Sequence, residues 1–275
     1  MRPLVETALE LARFRDSHAL SHAAEGPMRH VALLLLTLAV VQPTHAAAPS
    51  KPAGAIALAV ADPARPADQR STDELRKPAE TLAFSGVRPG MTVGEFYPGG
   101  GYFTRMLSDV VGPKGHLYAI ENAGWKGAVK ANDEMLAQGK WSNVSMDVQP
   151  FGTVKFPKAL DLAWVTQNYH DLKIAEYGKV DTRAFDRQVY AALKPGGTFF
   201  ILDHQGRPNL SDAEIAKMHR INRDVVIKEV TSAGFKLVAE GKFLHRPGDD
   251  HSLPIFDKAI QGHTDQYALK FIKPR

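Results

Sequence analysis

VGEFYPGGGYFTRMLSDVV, residues Val93–Val111, decides how the rest of the chain is read. A short apolar run, Met91–Phe96, meets Tyr97-Pro98-Gly99-Gly100-Gly101. An amphipathic pattern follows at Phe103, Met106, Leu107, Val110 and Val111. This order predicts a strand, a glycine turn and a helix. Glycine admits backbone angles closed to other residues and leaves no side chain between chain and ligand. The helix start behind it offers unpaired N–H groups and a partial positive charge. Such an elbow is the nucleotide-cofactor cradle of doubly wound α/β sheets.

Downstream, the pattern alternates. His116–Glu121 is a short strand ending in a carboxylate about twenty residues past the glycines, where it can accept hydrogen bonds from both hydroxyls of a ribose. Further strands are expected at Val144–Val148, Ala159–Val165 and Thr198–Asp203, with helices over Lys126–Gln138 and Thr182–Leu193. Ser211 to Glu214 has the spacing of a capping box and starts a helix; another runs from Arg223 to Ala233. Phe235–Leu244 and Gln266–Ile272 are the last strands, with no helix between them, so antiparallel pairing is expected there. The alternation up to Asp203 argues a parallel sheet covered on both faces.

Upstream, Ser71 opens a helical pattern to about Ser85, with Pro78 predicting a kink or a late start. Residues 49–70 are Ala- and Pro-rich without period and read as a disordered linker. Met28-Arg29-His30, the apolar run Val31–Val41 and the small residues after it read as a secretory signal peptide over about 28–48, within an N-terminal extension 1–48. The run is too short for a bilayer span, which takes about 20 residues. Exported, periplasmic or secreted protein with no membrane span after cleavage is the expectation. The absence of cysteine excludes disulfides and a Cys nucleophile and suits an oxidising compartment. The net charge of +4 is scattered rather than gathered in a stripe, which argues against a nucleic-acid partner.

Five parallel strands, a sixth and an antiparallel seventh resemble the class I S-adenosylmethionine-dependent methyltransferases. Glu95–Gly101 looks like their glycine-rich first motif, Glu121 matches the acidic end of strand two, Asp161–Val165 resembles the strand carrying their fourth motif, and Leu193–Gly197 is similar to the turn before strand five. EFYPGGGYFTRML, the YHDL loop, DHQGRP and GHTDQYALKFIKP are similar to a bacterial group of exported predicted methyltransferases. The resemblance covers about Ser71–Arg275, the expected methyltransferase-like domain. It implies a Rossmann-like seven-stranded sheet and S-adenosyl-L-methionine as cofactor. Where the usual motif has glycine, this chain has Tyr97 followed by Pro98; a ring there packs on the cofactor or narrows its pocket.

On the resemblance, Glu95 sits near the amino acid portion of the cofactor. Tyr97, Gly99, Gly100 and Gly101 shape the approach, Glu121 with Asn122 holds the ribose, and Asp147, Gln149 and Phe151 follow the strand beside the adenine. The loop after strand four faces the methyl group. Asn168 is there a cofactor contact, and His170, Asp171 and Tyr169 are the catalytic candidates, with His170 as general base and Tyr169 beside the sulfonium. His204 is a second base candidate; His219 and Arg220 fall on a helix surface or the pocket mouth. His245, Asp249, Asp250 and His251 have metal-ligand residue types but no rigid spacing; a polar lid is expected there, and no metal. The expected function is methyl transfer to a small-molecule acceptor. A non-catalytic exported cofactor-binding protein of degenerate fold is the alternative. A nicotinamide-dependent dehydrogenase fits less well, since the glycines lack the spaced third Gly or Ala of that fingerprint.

Overall fold

A computed structural model describes residues 52–178 and 180–275. The segments read as extension and signal peptide lie outside the described residues. In chain order the elements are α1 (Pro52–Ala61), α2 (Ala67–Arg70), α3 (Asp73–Arg76), α4 (Pro78–Ser85), β1 (Thr92–Phe96), α5 (Tyr102–Val111), β2 (His116–Asn122), α6 (Lys126–Leu136), β3 (Val144–Gln149) and β4 (Leu160–Thr166). Two single-turn 3-10 segments follow at His170–Lys173 and Ala175–Tyr177. Then come α7 (Thr182–Ala192), β5 (Leu193–His204), α8 (Asp212–Met218), α9 (Arg223–Ser232), β6 (Lys236–Gly241) and β7 (Gln266–Ile272).

The seven strands form one sheet in the order β3-β2-β1-β4-β5-β7-β6. β1 to β5 pair in parallel, and β7 runs antiparallel to both β5 and β6. This is the expected sheet, and β7 lodged between β5 and β6 departs from the all-parallel order of dinucleotide-binding dehydrogenases. The central strands are buried on both faces. Phe199 and Ile201 of β5 join Phe96, Phe185 and Val189 on one side, while Phe200 and Leu202 join Leu107, Leu162 and Trp164 on the other. Period-two alternation therefore feeds two cores, and both must be apolar. Among the described residues, no helix is long and apolar enough to cross a membrane.

Residues 52–70 of the stretch read as a disordered linker are instead folded. α1 buries Ala55, Ile56 and Ala59 in one cluster with Leu82 of α4 and Val110 of α5. Arg65, 1% exposed, donates to the Val60 carbonyl at 2.6 Å and bidentately to Asp73 at 2.6 and 2.8 Å. A short Ala-rich helix carries little periodicity of its own, and its stability comes from tertiary packing. The expected helix over 71–85 is two helices. Lys77 between them is left-handed at φ 47, and Pro78 starts α4 at a position where its missing N–H costs nothing.

The order reverses between β1 and β4, which lie side by side while their connections run outward to opposite halves of the sheet. Ligand crevices of open α/β sheets form at the carboxyl ends of the two strands that meet at such a switch.

Candidate active site

At that switch lies a cavity of about 660 Å³. Its walls come from the ends of β1, β4 and β5, from α2 and α3, and from the long loop before β7. Tyr97, Gly99, Gly100, Trp125, Asn168, His170, Asp171, Tyr177, His204, His219, Phe256 and Gln266 all contribute.

The glycine turn is clamped from below. The Gly99 N–H donates to Glu121 Oε2 at 3.0 Å, and the Asn132 amide donates to the Gly99 carbonyl at 3.0 Å. Arg105 folds back from α5 to donate to the Gly100 and Gly101 carbonyls at 2.8 and 2.7 Å. Gly101 has φ 72, and a Cβ there would stand 2.8 Å from the Arg105 guanidinium and 2.9 Å from Met135 Sδ. Close packing demands that glycine. At Gly99, φ 58, no protein atom lies within 4 Å of where a Cβ would be, and the backbone lies open to the cavity.

Two expectations change here. Glu121 does not face the cavity. It is fully buried behind the turn, and its oxygens are taken by the N–H groups of Gly99 and Asn122 and by Asn132. Burial raises its pKa to about 7. It holds the cradle's shape rather than presenting a carboxylate to a ribose. Asn122 is likewise buried and its amide oxygen caps the Gly124 N–H. Asp147 lies exposed on β3, paired with the Gln149 amide, away from the cavity. An acidic residue at the right spacing cannot reveal on which side of a turn it ends.

Tyr97 explains its own departure from glycine. Its φ is 56, in the left-handed region that glycine occupies freely and other residues at a cost of about 1–3 kcal/mol. The ring stacks on Phe151 at 4.6 Å and meets Trp125 at 5.7 Å, and its hydroxyl accepts from the Gly152 N–H at 2.9 Å. The aromatic neighbours fix a backbone that the residue alone would avoid. Its ring and Trp125 give the cavity one aromatic wall.

Glu95 at the end of β1 faces the same cavity. It is 2% exposed, and its Oε2 is buried without a hydrogen-bond partner. Burial raises its pKa to about 8. Across the cavity lining stands Arg76 of α3, stacked 3.9 Å over the Tyr102 ring and donating to Gln167 at 3.2 Å. The sequence reading missed Arg76, because only the tertiary fold brings α3 to the ends of β1 and β4.

The loop after β4 divides its residues. Tyr169 does not border the cavity. The 3-10 turn sends it under the sheet, fully buried, with its hydroxyl 2.9 Å from Asp186 and 3.3 Å from Glu229. The remaining three do reach the cavity. His170 Nδ1 lies 2.7 Å from Asp203 Oδ1, its backbone N–H donates to Asp203 Oδ2 at 2.8 Å, and its Nε2 is 3.2 Å from Asp171 Oδ1. Asn168 donates to Asp171 Oδ2 at 2.8 Å. Burial would lower the His170 pKa, but the Asp203 and Asp171 carboxylates outweigh it and raise it to about 10. Burial works against the Asp171 carboxylate, yet the His170 and His219 imidazoles beside it hold it well below the usual range. A histidine so held keeps its proton at neutral pH, which argues against the general base expected of it. His204 is the reverse. Burial, with His170 and Arg220 nearby, pushes its pKa well down, and its Nδ1 contacts the Thr264 hydroxyl at 2.8 Å. Asp203, the group that orients His170, was not singled out from the sequence, although its place at a strand end beside a histidine is a readable signal.

His245 and His251 are each bound to Asp265 at 2.9 Å, and Asp249 pairs with Arg220 at 2.8 Å. Asp250 caps the Ser252 N–H. These residues anchor the loop, while Ile255, Phe256 and Gln261 reach the cavity. Arg220 is fully buried, not on a helix surface.

Solved structures share this architecture. A SAM-dependent methyltransferase from Aquifex aeolicus superposes with a TM-score of 0.54 at 19% identity, covering 81% of this chain and 98% of that one. The glycopeptide N-methyltransferase MtfA, complexed with sinefungin, superposes with a TM-score of 0.51 at 16% identity, covering 74% and 87%. The chain therefore has the fold of the class I S-adenosylmethionine-dependent methyltransferases. In sequence it is similar to one such enzyme. It is 28% identical over 196 residues to the ubiquinone/menaquinone biosynthesis C-methyltransferase UbiE of Ectopseudomonas mendocina, a match spanning 69% of this chain and 66% of that protein. No family model matches the chain.

Proposed function

We propose that the protein is an S-adenosylmethionine-dependent methyltransferase acting on a small-molecule acceptor. The observation that carries this reading is Glu95. A buried carboxyl with an unpartnered oxygen at the mouth of a glycine turn is a site for a cation. Arg76 on the same cavity offers the complementary charge for a carboxylate. Together they fit the ammonium and carboxylate of an amino acid. The open backbone at Gly99 admits close approach, and the faces of Tyr97 and Trp125 suit a sulfonium. S-adenosylmethionine, when bound, supplies an electrophilic methyl group. The chain's own part is to bind and orient, and to exclude water with the Ile255–Gln261 stretch of the loop. A cavity of about 660 Å³ falls in the range of small-molecule sites, about 300–1,000 Å³.

The test is calorimetric titration of the full chain with S-adenosylmethionine, S-adenosylhomocysteine and NAD. Binding of the first two without the third is expected, weakened at least tenfold in Glu95→Gln. Binding of NAD alone overturns the reading.

We also infer export, from the basic, apolar and small-residue order of residues 28–48 and the absence of cysteine. Cleavage near Ala46–Ala48 is expected. N-terminal mass spectrometry of the secreted fraction checks it, and an intact N-terminus removes the inference.

A further inference from the structure

We propose that His170, Asp171 and His219 form a site for a divalent transition-metal ion at the wall of the cavity. The three residues come from two separate elements, the 3-10 turn after β4 and the end of α8. His170 Nε2 lies 3.2 Å from Asp171 Oδ1 and 3.3 Å from His219 Nδ1, and Asp171 Oδ1 lies 3.4 Å from His219 Nδ1. The three ligand atoms thus make a nearly equilateral triangle. Donors about 2.0–2.1 Å from an ion stand about 3.4 Å apart at tetrahedral angles and about 3.0 Å apart at octahedral ones. The observed edges fall between the two, the size of one face of either polyhedron.

A second observation points the same way. Asp171 is 4% exposed, yet its Oδ1 accepts no hydrogen bond of proper geometry. A buried carboxylate oxygen that meets two imidazole nitrogens without a well-formed hydrogen bond is satisfied by a cation shared among the three. The surroundings supply the outer support that metal sites have. Asp203 Oδ1, against His170 Nδ1, fixes the ring with Nε2 toward Asp171 and His219, where a metal ion would displace the proton that His170 otherwise keeps, and Asn168 holds the other oxygen of Asp171. Two imidazoles and one carboxylate suit zinc or iron(II) better than magnesium or calcium, which prefer oxygen donors alone. Three protein ligands leave positions open for water or for an oxygen of the acceptor. All three residues border the cavity, so an ion there acts as a Lewis acid on what the cavity holds. In the loop before β7, His245 and His251 pair with Asp265, and Asp249 pairs with Arg220.

The test needs no cofactor and no acceptor, and it stands whatever becomes of the methyl-transfer reading. The full chain is stripped with chelator and titrated with Co²⁺, read by visible d–d absorption, with Zn²⁺ as competitor. One equivalent is expected, displaced by zinc. His219→Asn keeps a residue tolerant of the left-handed backbone found there, φ 51, and should weaken binding at least tenfold. Asn168→Ala should weaken it about tenfold through Asp171. The exposed His263→Ala should bind as the parent does. No saturable binding by the parent, or unchanged binding by a folded His219→Asn, overturns the site and leaves the cluster a hydrogen-bonded ion network.

Discussion

The Gly152 N–H donates to the Tyr97 hydroxyl at 2.9 Å, joining the glycine turn to the loop after β3 across the sheet. The bond pins an aromatic residue in a backbone conformation where glycine would be at ease. Tyr97→Phe keeps the ring and leaves that N–H unpaired, with an expected cost of about 1 kcal/mol in urea unfolding. Tyr97→Gly relieves the backbone but forfeits the packing against Phe151 and Trp125, so a net loss of about 2 kcal/mol or more is expected. A gain in stability would show that the backbone term dominates.

Glu95 makes cofactor affinity depend on pH. Its pKa of about 8 means that it holds a proton at pH 7 in the free protein. A cation beside it favours the carboxylate, so binding releases that proton. Affinity for S-adenosylmethionine should rise by up to tenfold per unit from pH 6 toward 8 and level off above. Calorimetry in buffers of different ionisation enthalpy reads the released proton directly, and Glu95→Gln should abolish it.

The Asp186 carboxyl under the sheet gives a different pH signature. Burial, with the Glu229 carboxylate nearby, raises its pKa to about 8 against the hydrogen bond from the Tyr169 hydroxyl. The unfolded value is lower, so the folded state binds the extra proton. Its contribution is fully present below about pH 4 and is lost as pH rises through 8. Stability measured by urea should fall between about pH 4 and 8 and level off above, and Asp186→Asn should flatten that fall.

Arg65→Ala removes the fully buried guanidinium that ties the stretch after α1 to α3. Asp73 then loses its bidentate partner, and a cost of about 2–4 kcal/mol is expected. Thermal unfolding checks it. Because α3 carries Arg76, cofactor affinity should fall as well.

Much of this was legible in the sequence. The strand–glycine–helix elbow, the five parallel strands and the closing antiparallel pair are written in local periodicity, which survives in one dimension. α1 was not, since Pro52–Ala61 has no apolar stripe and folds only because Leu82 and Val110 lie beneath it. The methyltransferase-like motifs placed Glu95, His170 and Asp171 at the cavity. They misplaced Glu121 and Tyr169, each turned behind its own loop by a single local bend. Arg76 and His219 reach the same cavity from α3 and α8, and Asp203 of β5 stands behind His170, a meeting that only the tertiary fold creates.

β7 occupies the slot between β5 and β6, and its register runs from Thr198 opposite Ile272 to His204 opposite Gln266. A chain emerging from its N-terminus therefore completes β5 long before anything can pair with that strand's outer edge. Until Gln266–Ile272 arrives, the nascent sheet has an exposed apolar margin and β6 has no neighbour. β7 acts as a timing device: its arrival decides when the outer edge of β5 stops being a template for other strands.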